Sequence, residues 1–190
     1  MFIIKSVIIM LCLNYIEGLL MIISRVWAMP NSKTFDIKPI KELIHKYVDV
    51  CDGVIIDPFA NTCKIATITN DLDVSYDTDY HMDATDFLKM FGDASVDIVL
   101  YDPPYSPRQV SECYKKLNMS VDMTTTQAAY WAKQKKEIGR IVKTNGIVIT
   151  CGWNSGGIGH KYGFDIQEIL LVPHGGWHND TIVTVDKKRK

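Results

Sequence analysis

The chain has 190 residues, of which 47% are hydrophobic and 23% charged, and a formal net charge of −1. That length supports one domain with a sizeable core, and the apolar content excludes a disordered chain. The five cysteines (Cys12, Cys51, Cys63, Cys113, Cys151) form no C-x-x-C pair, which argues against a zinc ribbon or disulfide framework and fits a reducing cytoplasm.

The small net charge hides an asymmetry. Residues 1–103 carry 8 basic and 15 acidic side chains, whereas residues 104–190 carry 13 and 7. A basic second half has two readings, a phosphate-facing surface or solvated helix faces with a basic tail.

Residues 1–23 are strongly apolar, broken by Lys5, Asn14, Glu17 and Gly18. The run Val7–Leu13 is too short to span a bilayer as a helix, and no small-residue cleavage site marks a signal peptide. The readings left are an extension upstream of a start at Met21, a membrane anchor, or a packed helix. Residues 1–20 are therefore set apart from a single domain over 21–186, with a disordered basic tail at 187–190.

From Thr34 to Val50, Ile37, Ile40, Leu43, Ile44, Tyr47 and Val48 recur at three- and four-residue spacing. This predicts an amphipathic helix, with Asp36 as N-cap, Pro39 in the first turn and Gly53 as terminator. Val54-Ile55-Ile56 predicts a buried strand ending at Asp57-Pro58-Phe59-Ala60-Asn61. Ile65–Thr69 predicts a second, ending at Asn70-Asp71. A carboxylate at that strand end can accept from both hydroxyls of a ribose; Asp71 is the first choice and Asp73 the spare. The following aspartates lack the glycine and terminal glutamate of a calcium loop. A short helix is expected around Phe87–Phe91, with Asp86 as a candidate cap.

Val96–Tyr101 is rich in β-branched and aromatic residues and predicts a buried strand. It ends in Asp102-Pro103-Pro104-Tyr105. The prolines lack N–H groups and stiffen the backbone beyond the strand's carboxyl end, where open α/β sheets place their ligand crevice. The Asp102 carboxylate and the Pro103 carbonyl offer two acceptors, and Tyr105 offers a flat face. That set suits a planar exocyclic amine such as N6 of adenine or N4 of cytosine. Holding both amine protons favours a more tetrahedral nitrogen able to attack an electrophilic methyl group.

Ser106–Asn118 predicts a loop and short helix, with Arg108 a candidate phosphate contact. Thr124–Val142 predicts a longer helix. Asn145-Gly146 signals a turn before a fifth strand, Ile147–Cys151. The loop Gly152–Gly157, with Asn154, lies at the same sheet end as Asp102 and is a candidate wall of the target pocket. It lacks the Gly-Lys-Ser/Thr ending of a phosphate-binding P-loop. Asp165–Val172 and Thr181–Val185 predict two final strands. The histidines between them, His174 and His178, sit among glycines without further ligands, so no metal is expected. Trp177 is a candidate support for an extruded base.

Asp102-Pro103-Pro104-Tyr105 resembles the DPPY motif of S-adenosylmethionine-dependent DNA amino-methyltransferases, most of all the small adenine-specific enzymes of bacteriophages. The likeness covers roughly residues 25–186. It implies a Rossmann-like methyltransferase fold in the α/β class, a mostly parallel seven-stranded sheet with a C-terminal antiparallel hairpin. It also implies S-adenosylmethionine as cofactor and DNA as substrate, methylated at N6 of adenine. Lys38-Pro39 and Asp57-Pro58-Phe59 resemble the family's cofactor segments. The likeness thereby implies Thr34 and Phe35 near the methionine end, Asp57, Phe59, Ala60 and Asn61 around the turn, and Asp83 with Ala84 at the adenine amino group. Asn61 departs from the family's glycine, which leaves room for a non-catalytic binding module. N4-cytosine, RNA and protein amines are the other substrates considered. No separate target-recognition domain is visible, so target recognition is expected to be weak or to come from a partner subunit or homodimer. The resemblance also favours the upstream-extension reading and implies a (host) cytoplasmic location without a membrane partner.

Overall fold

The computed structural model describes residues 21–121 and 128–190. The expectations for residues 1–20, and for the start of the long helix at Thr124–Gln127, lie outside them. The fold is organised on β4 (Val96–Tyr101), whose residues are buried except Asp97. Side chains alternate across a strand, so Ile98 and Leu100 enter one core while Val99 and Tyr101 enter the other. Around it lie β1 (Ile22–Arg25), β2 (Ile55–Asp57), β3 (Ile68–Thr69), β5 (Val142–Gly152), β6 (Phe164–Val172) and β7 (Thr181–Lys188), in the order β1-β6-β7-β5-β4-β2-β3. β7 alone runs antiparallel to its neighbours, β5 and β6; the remaining pairs are parallel. This is the expected seven-stranded, mostly parallel Rossmann-like methyltransferase sheet.

Both faces are covered, as a parallel sheet requires. Helix α1 (Lys38–Val48) packs Ile40, Leu43 and Ile44 against one face. On the other face, α2 (Ala84–Lys89) packs Phe87 and Leu88, and α4 (Ala128–Ile141) packs Ile138 and Ile141. Helix α3 (Pro107–Lys116) forms a satellite core with α4 through Val110, Tyr114 and Tyr130.

Several boundaries differ from expectation for identifiable reasons. Thr34–Asp36 forms a 3-10 turn ahead of α1, and Ile37, without a side-chain bond, occupies the N-cap. Asp36 instead lies near Lys41 (3.8 Å). The helix ends at Val48, before Gly53; a Cβ on Gly53 would lie 2.2 Å from Asp97 Oδ2. The second strand shrinks to Ile68–Thr69; just before it, Thr67 donates its N–H to Ile55 O (2.9 Å) and its hydroxyl bonds both N and O of Ile55. Asp83, not Asp86, caps α2 by accepting from Thr85 N (2.8 Å). Asn145-Gly146 is a bulge within β5, with Asn145 left-handed (φ 65°) and the β4–β5 register shifted there. β7 continues through Lys188, so the tail is built into the sheet: Lys188 Nζ donates to the carbonyls of Gly139 and Tyr162.

Candidate active site

Strand β4 delivers the Asp102–Tyr105 segment, and four contacts hold it. The Tyr101 hydroxyl donates to buried Gln134 Oε1 (2.7 Å), which anchors the strand end. Trp131 Nε1 donates to the Pro104 carbonyl (2.9 Å), and Tyr105 N donates to Gln109 Oε1 (2.6 Å). Ser106 caps α3 by accepting from Gln109 N (3.3 Å). Among the described residues none donates to the Pro103 carbonyl, which leaves it available as an acceptor. The Tyr105 hydroxyl is turned onto Asp102 Oδ1 (2.5 Å), and its ring meets Trp153 edge-on at 5.6 Å.

This segment forms one side of a cleft of about 680 Å³, a size suited to a cofactor-sized ligand. Thr34, Phe35, Phe59, Ala60, Asn61 and Asp71 line the rest of it together with Asp102, Pro103, Pro104 and Tyr105. The turn after β2 is built around Asn61, whose left-handed backbone (φ 50°) takes the conformation a glycine there would supply. Its N–H donates to Asp71 Oδ2 (2.9 Å), and Asp73 N donates to Asp71 Oδ1 (2.9 Å). Asp71 thus ties the turn after β2 to the turn after β3 and keeps lone pairs toward the cleft.

The floor is acidic and poorly solvated. Burial raises the Asp102 carboxyl above the usual range, against the Tyr105 and Thr34 hydroxyls, which pull it down. Burial likewise raises Asp71, against the N–H groups of Asp73 and Asn61. Asp57 is fully buried, and burial pushes its carboxyl well up, with Asp102 and Asp71 adding repulsion. Its Oδ1 accepts from Phe59 N (2.9 Å), while Oδ2 has no partner among the described residues. Burial also pushes the Cys151 thiol well up, with Asp102 and Asp57 adding to it. Asp71 and Asp102 present carboxyl groups to the cleft, with Asp57 buried beneath them.

The other predicted residues stand apart from the cleft lining. Asp57 lies beneath the floor. Asp83 accepts from the Tyr114 hydroxyl (2.9 Å) and stands behind that cleft-lining ring, and Ala84 is buried in α2. Arg108 pairs with Glu112 on the exposed face of α3 (2.7 Å). Asn154 accepts from Gly156 N (3.0 Å) within its own loop, and Trp177 is fully exposed. His174 is a buried clip, with its ring bonded to Ala28 O and Thr181 Oγ1 (both 2.9 Å). Sequence reasoning missed Gln109, Trp131 and Trp153. Gln109 stands four residues after Tyr105, a spacing that puts both on one helical face; the tryptophans reach the motif only through tertiary packing.

No protein-family model matches the chain, and no curated protein matches it. Solved structures do match its fold. One is 1,6-didemethyltoxoflavin-N1-methyltransferase from Burkholderia thailandensis, bound to 1,6-didemethyltoxoflavin and S-adenosylhomocysteine: TM-score 0.55 at 11% identity, over 80% of this chain and 78% of that one. Another is yhhF from Escherichia coli, an inferred methyltransferase: TM-score 0.54 at 9% identity, over 85% and 90%. TrmN from Thermus thermophilus matches with TM-score 0.52 at 17% identity, over 80% of this chain but 49% of its own. At these identities the likeness is one of fold.

Proposed function

We propose that this protein transfers a methyl group from S-adenosylmethionine to an exocyclic amine of DNA, N6 of adenine. The observation that carries this reading is the shared cleft: Asp102, Pro103 and Tyr105 border the same cavity as the turn at Phe59–Asn61 and Asp71. The residues present fit the cofactor. Asp71 and Asp102 put carboxyl groups on the cleft lining, which suits a cation, Asp71 can accept from a ribose diol, and left-handed Asn61 supplies the turn conformation of a glycine. Thr34 and Phe35 border the Asp102 end and are assigned to the methionine moiety.

Bound S-adenosylmethionine supplies an electrophilic methyl group on a positively charged sulfur. Asp102 and the Pro103 carbonyl each accept one N–H of the target amine, which turns the nitrogen lone pair toward the cofactor side of the cleft. Asp102 Oδ2 is the oxygen for this task, since Oδ1 holds the Tyr105 hydroxyl. The amine nitrogen would form the new C–N bond to that methyl group, with the electrons of the broken C–S bond staying on the cofactor. The nitrogen's surplus proton passes to Asp102, whose burial makes it a better acceptor than an exposed carboxylate, and then to water. Tyr105 and Trp153 provide aromatic surface beside the base.

The test is transfer of labelled methyl groups to unmethylated DNA, followed by digestion and identification of the modified nucleoside. N6-methyladenine is expected. Label in N4-methylcytosine would move the amine, label only in RNA or protein would move the polymer, and no label with cofactor bound would leave a non-catalytic module.

A further inference from the structure

The geometry points to unpaired, single-stranded DNA as the form of substrate this site engages, its bases stacked on a row of exposed tryptophans along the cleft's rim. This deepens the reading above and rests on it. Strands β1, β4, β5 and β6 are parallel, so the segments that follow them emerge at one rim of the sheet, the rim that carries Asp102. Three of those segments present an exposed indole: Trp27 after β1 (59% exposed), Trp153 after β5 (41%) and Trp177 after β6, fully exposed. Exposed aromatic surface of this size on one rim marks an interaction site.

The row is continuous with the cleft and rigidly based. Trp153 meets the Tyr105 ring at 5.6 Å. Ala28 N donates to the Pro173 carbonyl (3.2 Å) and the His174 ring bonds Ala28 O, which ties the Trp27 segment to the loop carrying Trp177. A Cβ on Gly175 would lie 3.4 Å from Trp27 Nε1, so the two segments are in contact. β5, β7, β6 and β1 are successive neighbours, and the rim from Trp153 to Trp27 therefore spans about 14 Å, room for a few nucleotides.

Basic side chains are few at this rim, with Arg25 exposed beside Trp27 and Lys33 in the cleft. Affinity for duplex DNA comes chiefly from lysine and arginine against phosphates, and much of the basic surplus of the second half is at the opposite rim. β7 runs antiparallel, so Lys187 and Lys188 end there beside the start of β6, and Lys143 opens β5 there, paired with Asp97 (2.7 Å). Of the four cleft lysines, Lys64 pairs with Asp77 (2.9 Å), Lys116 with Asp73 (3.4 Å) and Lys41 lies 3.8 Å from Asp36, while Lys33 has no ion-pair partner among the described residues. Stacking on aromatic side chains adds affinity beyond that of lysine and arginine, and it needs base faces that only an unpaired strand exposes. An unpaired target also spares the cost of extruding a base from a stack.

The experiment measures fluorescence anisotropy of a short labelled DNA single strand, and of its duplex, with the full chain saturated with S-adenosylhomocysteine. The single strand is expected to bind at least about tenfold tighter than the duplex, with a salt dependence no steeper than the duplex's. W27A/W177A and W153A should each weaken single-strand binding by about tenfold, and W153F should restore most of it. Affinity of W27A/W177A for S-adenosylhomocysteine, measured by calorimetry, should be unchanged. Duplex binding equal to single-strand binding, or indifference of single-strand binding to these substitutions, overturns the inference. So does a W27A/W177A protein whose only change is its elution volume, which would make this face a contact between copies, or one whose only loss is binding to lipid vesicles. Methyl transfer to duplex DNA with indifferent tryptophans would retain the proposed function and remove this inference. Tryptophan-dependent binding of single strands without methyl transfer would do the reverse.

Discussion

Asp102 must be ionised to accept two hydrogen bonds, yet its burial raises the pH at which it ionises. Activity is therefore expected to fall on the acid side as Asp102 takes up a proton, at a pH above the ordinary carboxylate range. The Tyr105 hydroxyl, at 2.5 Å from Oδ1, favours the charged form. Tyr105→Phe removes that donor, so the acid limb of its pH–rate profile should move to higher pH than in the wild type. An unmoved limb would show that Asp102 does not set it. Asp102→Ala is expected to lower kcat by about 100- to 1000-fold, the usual effect of losing one preorganised polar contact to the transition state. Its affinity for S-adenosylhomocysteine should change far less; an equal loss of both would place Asp102 in cofactor binding alone.

At the scale of elements, the loop between β5 and the 3-10 turn at His160–Tyr162 depends on a buried carboxyl in β7. Asp186 is fully buried, accepts from Thr184 Oγ1 (2.8 Å) and Ile158 N (3.3 Å), and burial pushes it up to about 6. A carboxyl raised in the folded state binds more protons there than in the unfolded chain, so stability falls as pH rises from about 4 through about 6. The loss is about 3 kcal/mol at full ionisation. Urea melts of Asp186→Asn across that range should show most of this slope gone. Gly157 has φ +51°, and a Cβ there would lie 2.3 Å from Asp186 Oδ1. Gly157→Ala is thus expected to cost about 2 kcal/mol or more, read as a lower urea midpoint at unchanged slope.

For the whole molecule, the cleft joins segments distant in sequence: the 3-10 turn at Thr34–Asp36, the turns after β2 and β3, and the segment after β4. A ligand filling it ties these together. S-adenosylhomocysteine at about 100 times its Kd should add about 2.7 kcal/mol of stability and raise Tm by about 5–10 °C for a domain of this size. No Tm shift at millimolar ligand would remove the cofactor assignment. No helix of the described residues is long and apolar enough to cross a membrane.

The apolar run Val96–Tyr101, the abrupt Asp-Pro-Pro-Tyr and the carboxylates near successive strand ends were sufficient to read the sheet and much of its cleft-bearing rim. Burial periodicity and proline's missing donor are local properties, written residue by residue. The charge asymmetry was equally legible, but its meaning was not. β7 reverses direction and carries Lys187 and Lys188 to the rim opposite Asp102, because strand polarity follows from pairing across the sheet and not from composition. Asp83 likewise matched a motif, yet packing set it behind Tyr114 as a helix cap. The contacts of Trp131 and Trp153 with the motif join elements up to 48 residues apart. Such contacts exist only once the chain has closed, since they depend on which faces meet.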